Sequence, residues 1–299
     1  MRSSGTTDGL DLFVTHRSLL FTVAYEMLGS AADAEDVVQE AWLRWAGLDP
    51  EARAQVREPR SYFVRIVTRQ ALNRLRTLSR RREEYVGEWL PEPLLTVPDV
   101  AEDVELAESV SIAMLTVLES LAPVERAVFV LREVFDAPYE EIAEAVGKST
   151  AAVRQISSRA RSHVAARRPR MQVDRTEQRA VVERFLTAVT TGDVQGLMDV
   201  LAPDVVLIAD GGGVAQAARV PVYGAKKVIN LLRPFPEYAV NPKIALLWLN
   251  GGLGIRIDDE VGGPSLISVV VVDGRIARIF AMRNPEKLGW LGAETELAR

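Results

Sequence analysis

Residues 83–108 read EEYVGEWLPEPLLTVPDVAEDVELAE. The stretch carries nine acids (Glu83, Glu84, Glu88, Glu92, Asp99, Glu102, Asp103, Glu105 and Glu108) and neither lysine nor arginine. Pro91, Pro93 and Pro98 interrupt any helix in its first part. A basic helical stretch, 57–82, lies before it. A second, 148–170, follows after one short helical pair. An acidic connector between two basic modules suggests two nucleic-acid-binding pieces held apart by a tether that DNA would repel. A plain solvated linker has the same composition. It has little use, however, for the fragment Trp89-Leu-Pro-Glu-Pro-Leu94, where a Trp and two Leu sit between prolines.

The totals narrow the classes. A chain of 299 residues is long enough for two or three domains. Its 48% apolar fraction is ample for buried cores. There are no cysteines, which excludes disulfides, thiolate zinc sites and Cys nucleophiles. His16 and His163 are the only histidines, so no His-rich metal site is expected, and no cofactor either. Residues 1–11 lack the basic-then-apolar order of a signal peptide, and no run reaches the ~20 apolar residues of a membrane span. The expected location is the cytoplasm. The net charge of −5 is unevenly spread, so the local blocks decide what the chain binds.

Upstream of the connector, residues 12–28 carry Phe13, Leu19, Leu20, Val23 and Met27 at helical spacing. A second helix begins at Asp33, with Asp33, Glu35 and Asp36 in its first turn, where acids suit the helix dipole. Val37, Val38, Ala41, Trp42 and Trp45 form its apolar face. Asp33, Asp36, Gln39 and Glu40 form a polar one, and Glu40 and Arg44 can pair at i,i+4. Pro59-Arg-Ser61 opens a third helix with Phe63, Ile66, Val67, Ala71, Leu75 and Leu78 inward. On a wheel of ~3.6 residues per turn, Arg65, Arg69, Asn73, Arg76 and Arg80 fall within about 80°. No acid neutralises them. Such a stripe repels itself unless an anionic partner is present, and a phosphate backbone is the obvious one.

Downstream, residues 102–121 read as one helix leading to Pro123, where another begins. Residues 139–156 then carry a helix-turn-helix pattern. Ile142, Ala143 and Val146 face inward, Gly147 takes the turn, and Ser149 caps the second helix. Val153, Ile156 and Ala160 make its inner stripe. Lys148, Ser149 and Thr150 lie at its tip, with Arg154, Gln155, Ser158 and Arg161 on the outer side. That arrangement puts side chains into a major groove.

Here the residues carry a resemblance. Asp33-Ala-Glu-Asp-Val-Val-Gln-Glu-Ala-Trp42, then Pro59-Arg-Ser-Tyr-Phe-Val-Arg-Ile-Val-Thr-Arg-Gln-Ala-Leu-Asn73, then the helix-turn-helix, resemble regions 2 and 4 of an extracytoplasmic-function (group 4) RNA polymerase sigma factor. The resemblance implies that Asp33, Asp36, Gln39, Glu40 and Arg44 dock on the clamp helices of the polymerase β′ subunit. It implies that Arg65, Arg69, Asn73, Arg76 and Arg80 hold the minus-ten element. The residues from Lys148 to Arg161 named above would read the minus-thirty-five element, and the acidic linker would run toward the polymerase active-site channel.

Residues 176–299 read as two or three helices followed by a curved antiparallel sheet, with strands near 204–209, 243–250, 253–258, 266–272 and 275–283. Asp273-Gly274 marks a hairpin turn. The order resembles the NTF2-like, SnoaL-like α+β cone. Asp210-Gly-Gly-Gly213 matches no phosphate-loop fingerprint. The run is a plain turn or a docking site, and Asp210 is the one tempting carboxylate for catalysis. Trp89, Leu90, Pro91, Pro93 and Leu94 in the linker, Asp210, Gly211, Gly212 and Gly213 in the cone, and Asn284, Pro285, Lys287 and Leu288 near the C-terminus together resemble the sigma-J-like group. In that group a fused SnoaL-like domain is thought to regulate the sigma factor in cis.

The expected architecture is thus multidomain: an all-α region 2 bundle (1–86), an acidic linker (87–108), an all-α region 4 helix-turn-helix (109–170) and an α+β SnoaL-like cone (174–299). The expected function is promoter-specific transcription initiation with core RNA polymerase and promoter DNA as partners. No catalytic or metal site and no membrane contact is expected; whether the cone holds a small molecule is open. Two alternatives stand beside it. One is a ligand-sensing or catalytic cyclase/isomerase cone fused to a DNA-binding head. The other is a classical helix-turn-helix regulator, which leaves the arginine stripe unexplained.

Overall fold

The computed structural model describes residues 4–83, 85–97, 103–168, 175–289 and 294–298, with side chains from Asp11 onward in the first helix and up to Leu78 in the fourth. The first module packs α1 (Ser4–Leu28), α2 (Ala31–Ala46), α3 (Pro50–Ala54) and α4 (Pro59–Glu83). Gly29, at φ +67°, makes the turn after α1, and Ser30 caps α2 by accepting from the Asp33 amide (3.1 Å). Phe63 is the hub of the core, edge-on to Phe13 and Trp45 at 5.3 and 5.0 Å. Helix α1 begins well before the residue 12 expected from periodicity. The short α3 was not expected; Asp49 caps it and Pro50 supplies its first turn.

The second module departs from the expected single helix over 102–121. Two helices form instead, α5 (Val104–Ser109) and α6 (Ile112–Leu118). Each has its own cap: Asp103 accepts from Leu106 N (3.0 Å) and Ser111 accepts from Met114 N (3.1 Å). The second cap requires a non-helical Ser111, so the chain breaks there. Glu102 lies outside the described residues. Helix α7 (Pro123–Phe129) runs into a π-helical turn, Val130–Val134. The helix-turn-helix is as expected, α8 (Tyr139–Val146) and α9 (Thr150–Ala165), with Gly147 left-handed at φ +68° and Ser149 on the Ala152 amide. The inner stripe of α9 is Val153, Ser157, Ala160 and Val164, with Ile156 only half-buried.

The cone consists of α10 (Arg175–Thr191), α11 (Val194–Val200), β1 (Leu201–Asp210), β2 (Val222–Tyr223), α12 (Ala225–Leu232), α13 (Phe235–Tyr238), β3 (Lys243–Leu249), β4 (Gly252–Asp259), β5 (Gly263–Val272) and β6 (Arg275–Met282). The strand order is β2-β1-β6-β5-β4-β3. The expectation of an antiparallel sheet is corrected at one pair: β1 and β6 run parallel, so the sheet is mixed. One face packs on α10–α12 through Val181, Phe185, Val228, Ile255 and Ile279. The other presents Leu249, Leu266, Val270, Phe280 and Met282, and it is covered by Leu90 from the linker and Ile112 and Ala113 from α6.

The two helical modules are not held apart. They share one apolar core, which also takes in Leu94 and Leu297. Inside their contact, Glu26 of α1 is fully buried and accepts from Ser109 Oγ of α5 (2.7 Å). Arg126 of α7, also buried, donates through Nε to the Glu26 backbone carbonyl (2.8 Å) and through Nη1 to Glu119 (2.7 Å). Glu26 Oε2 and Arg126 Nη2 have no hydrogen-bond partner among the described residues. Burial outweighs the help from Ser109 and Arg126 and pushes the Glu26 carboxyl up from 4.5 to about 8.

A raised acid binds its proton more tightly in the folded chain than in the unfolded one, so stability falls as pH rises from about 4.5 to about 8. Glu26→Gln should flatten that part of the profile. Urea midpoints at a series of pH values check it, and an unchanged slope in the variant would count against the assignment.

Candidate functional site

The linker enters the cone at Tyr85. Asp210, at the end of β1, is completely buried and fully engaged. Its Oδ1 accepts from Tyr85 Oη (2.5 Å) and from Gly212 N (3.0 Å); its Oδ2 accepts from Leu90 N (2.9 Å) and Lys287 Nζ (2.8 Å). Lys287 is 3% exposed, donates also to Leu90 O (2.6 Å), and sits 3.2 Å from the Trp89 ring centroid. Burial first, then the Asp210 carboxylate, pushes the Tyr85 hydroxyl well above the usual tyrosine range, which keeps it a donor. Asn284 donates from Nδ2 to Tyr85 Oη (2.7 Å) and accepts from Glu286 N (3.0 Å), which caps the 3-10 turn Pro285–Lys287.

The glycines have a steric role. Gly212 (φ +65°) and Gly213 (φ +73°) are left-handed. A Cβ on Gly212 would meet the Asn284 side chain at 2.5 Å, and one on Gly211 would meet Ala215 O at 2.3 Å. Leu90 and Leu288 then join the apolar face of the sheet, while Pro91, Pro93 and Leu94 are buried. The structure thus brings together three motifs whose bonded residues lie 77 to 197 positions apart in the sequence. It also removes the one tempting carboxylate from catalysis, because Asp210 has no face left for a substrate.

A second junction was not foreseen. Asn250, left-handed at φ +50° in the β3–β4 turn, is buried against the linker and both helical modules. Its Oδ1 accepts from Leu94 N (2.9 Å), and its Nδ2 donates to Tyr25 Oη of α1 (2.7 Å) and to Val110 O after α5 (2.8 Å). Tyr25 Oη in turn donates to Glu92 O (2.5 Å). The Glu92 carboxylate accepts from the first amide of α2, Ala31 (2.7 Å), where the helix dipole favours an anion. Leu95 bridges to Leu249, Thr96 to Thr295, and Ala298 N donates to Thr22 of α1 (3.1 Å), so the C-terminal end also returns to the first module. The sequence signal, Asn250-Gly-Gly252, marks a turn and says nothing of what it touches.

The basic faces are covered to different extents. Helix α8 lies along α4. Arg65 forms an ion pair with Glu144, and Arg69 donates to the Glu144 carbonyl (2.9 Å). The expectation that no acid neutralises this stripe is therefore corrected: the acid comes from the other module. Asn73 and Arg76 bond each other and stay exposed (3.2 Å), and the Arg80 side chain lies outside the described residues. On α9, Arg161 makes a two-pronged bond to Glu133 (3.1 and 2.7 Å), and Arg154 pairs loosely with Glu140 at 3.6 Å. Lys148, Ser149, Gln155 and Ser158 are exposed and Thr150 is half-buried. On α2, Asp33 and Asp36 are bound internally by Arg74 (2.5 and 2.9 Å). Gln39, Glu40 and Arg44 are exposed around Leu43, which is 61% exposed and was not singled out from sequence. No Glu40–Arg44 ion pair forms among the described residues.

Comparison with known proteins fits this frame. Family models for Sigma-70 region 2 and Sigma-70 region 4 match residues 12–81 and 111–164. The chain is 36% identical over 291 residues to the ECF RNA polymerase sigma factor SigJ of Mycobacterium tuberculosis, covering 92% of this chain and 91% of that protein. The chain belongs to the ECF RNA polymerase sigma factors. The probable ECF sigma factor SigI of the same organism is 29% identical, covering 93% of this chain and 94% of that one. The crystal structure of the Mycobacterium tuberculosis SigJ superposes with a TM-score of 0.75 at 33% identity, over 95% of this chain and 99% of that one. This ECF sigma factor therefore has its two helical sigma domains at the N-terminal end, followed by the mixed-sheet cone. Sigma factors are not enzymes. No helix among the described residues is long and apolar enough to cross a membrane.

Two substitutions test the junctions. Lys287→Met strands the buried Asp210 charge and should cost about 3–5 kcal/mol of linker docking. It should raise protease cleavage within 85–97, and Asp210→Leu added to it should recover part of the loss. Asn250→Ala leaves the Leu94 amide and Val110 carbonyl unpaired and should cost about 1–3 kcal/mol in urea unfolding. A midpoint unchanged in Asn250→Ala would remove that residue from the account.

Proposed function

We propose that this sigma factor binds core RNA polymerase and directs promoter-specific initiation, and that its cone regulates it in cis by gripping the linker between regions 2 and 4. The observation that carries the reading is the Asp210–Lys287 grasp on the Leu90 backbone, together with Glu144 lying on Arg65 and Arg69. With the linker held, region 4 rests on the face of region 2 that carries the arginine stripe. Arg65 is half-buried beneath Glu144 and the exposed Arg69 is engaged by the Glu144 carbonyl, so a phosphate backbone competes with region 4 for both until that contact opens. Polymerase then acts as the ligand that favours the open form, since it engages the two regions apart.

The roles divide as follows. Gln39, Glu40, Leu43 and Arg44 of α2 form the surface for the β′ clamp helices: an exposed apolar anchor ringed by polar groups. Asp33 and Asp36 support it by fixing α2 to α4 through Arg74. Arg65, Arg69, Asn73, Arg76 and Arg80 engage the minus-ten element, Arg65 and Arg69 after Glu144 has released them. Lys148, Ser149, Thr150, Arg154, Gln155, Ser158 and Arg161 face the minus-thirty-five element on α9, whose outer side is already largely exposed. These regions work in the cytoplasm, where core polymerase and promoter DNA meet.

Run-off transcription with core polymerase and a cognate promoter tests the reading. Initiation should require both core enzyme and this chain. Glu144→Gln, which weakens the cover over Arg65, should raise initiation several-fold at limiting core enzyme and leave the saturated rate unchanged. Initiation that proceeds without this chain, or a lower yield from Glu144→Gln, would contradict it.

A further inference from the structure

Strands β4 and β5 pair from Asp259↔Gly263 to Gly254↔Ser268 and then part. Beyond that point Val269–Val272 pair only with β6. A cavity of about 140 Å³ lies in this fork, between the sheet and α5–α6. Its walls are mixed but mainly apolar, with Ala107 and Ile112 from the helices and Leu253, Val269 and Val271 from the sheet, and with Ser111 and Ser268 among them.

Two donor side chains stand at its mouth, one turn apart on α10. Arg175 is exposed, stacks 5.8 Å from the Trp248 ring centroid, and has no carboxylate partner among the described residues. Gln178 is half-buried and its amide makes no hydrogen bond among the described residues. Glu108, the acid in the lining, is held by Arg168 and so does not neutralise Arg175.

We propose that this cleft binds a small amphipathic carboxylate, with a single anionic head on Arg175 and Gln178 and an apolar body of about one ring in the fork. The guanidinium fork matches a carboxylate in geometry and charge, and an amide isostere offers it half the acceptors and no charge. The cavity falls below the roughly 300–1,000 Å³ of drug-sized pockets, which sets the size of the body. Neither the cone nor α5–α6 makes the site alone. A molecule bound here favours the docked arrangement of region 4 on the cone by mass action. The inference goes beyond the initiation role, because its test reads binding to the free chain and no transcription.

Calorimetric titration of the full chain with benzoate and with benzamide, backed by thermal melts, tests it. Wild-type chain should bind benzoate saturably and melt at higher temperature with it, and should bind benzamide at least tenfold more weakly. Arg175→Gln should lower benzoate affinity at least tenfold and leave benzamide nearly unaffected. Val104 lines the mouth and is 72% exposed, so Val104→Phe should block both probes without shifting the melting temperature of the unliganded chain. Absence of saturable benzoate binding to wild-type chain, equal affinity for benzamide, or benzoate binding unchanged in both variants would overturn the proposal.

Discussion

A buried carboxylate must be satisfied, and Asp210 is satisfied almost wholly by groups from outside the strand that carries it. The Tyr85 hydroxyl and the Leu90 amide come from the linker, and the Lys287 ammonium comes from the C-terminal side of the sheet. Releasing the linker would remove two of the donors and leave a charge pair in an apolar setting. The pair need add little net stability; its effect is on specificity, because only one register of the linker meets both oxygens. The Gly212–Gly213 turn exists to let Asn284 and Val86 approach, which places the third motif in the same grasp.

The rest follows from that anchorage. With Leu90 fixed, Leu94 reaches the Asn250 amide group, and Glu92 reaches the start of α2. Regions 2 and 4 are then on a short leash and share an apolar core. The contact of Glu144 with Arg65 and Arg69 is a consequence of this packing rather than a separate device. Surface ion pairs of that kind contribute little by themselves, about 0–1 kcal/mol each. The closed arrangement depends on the buried contacts around Leu90, Leu94 and Tyr25.

Much of this was legible where the signal is local. Gly147 and Ser149 specify the helix-turn-helix within a few residues, and Asp273-Gly274 specifies the β5–β6 turn, with both residues left-handed. The docking of residues 89–94, 210–213 and 284–288 was legible only through resemblance, since nothing in the spacing says that they meet. What stayed hidden is non-local. Tyr25 sits in an apolar stripe, and only its partner in the cone shows that its hydroxyl matters. Glu144 has the pattern of a solvated residue until α4 is laid beside it. The parallel pairing of β1 with β6 spans the whole domain, and the break at Ser111 needed the cap to be seen.

The most direct measurement is the distance between the two sigma regions in the free chain and after addition of core polymerase. The absence of native cysteines allows spin labels at Glu51→Cys on α3 and Arg159→Cys on α9, both exposed. The account predicts one narrow, short distance in the free chain that lengthens when core polymerase is added. A broad distribution in the free chain, or a distance that polymerase leaves unchanged, would contradict it.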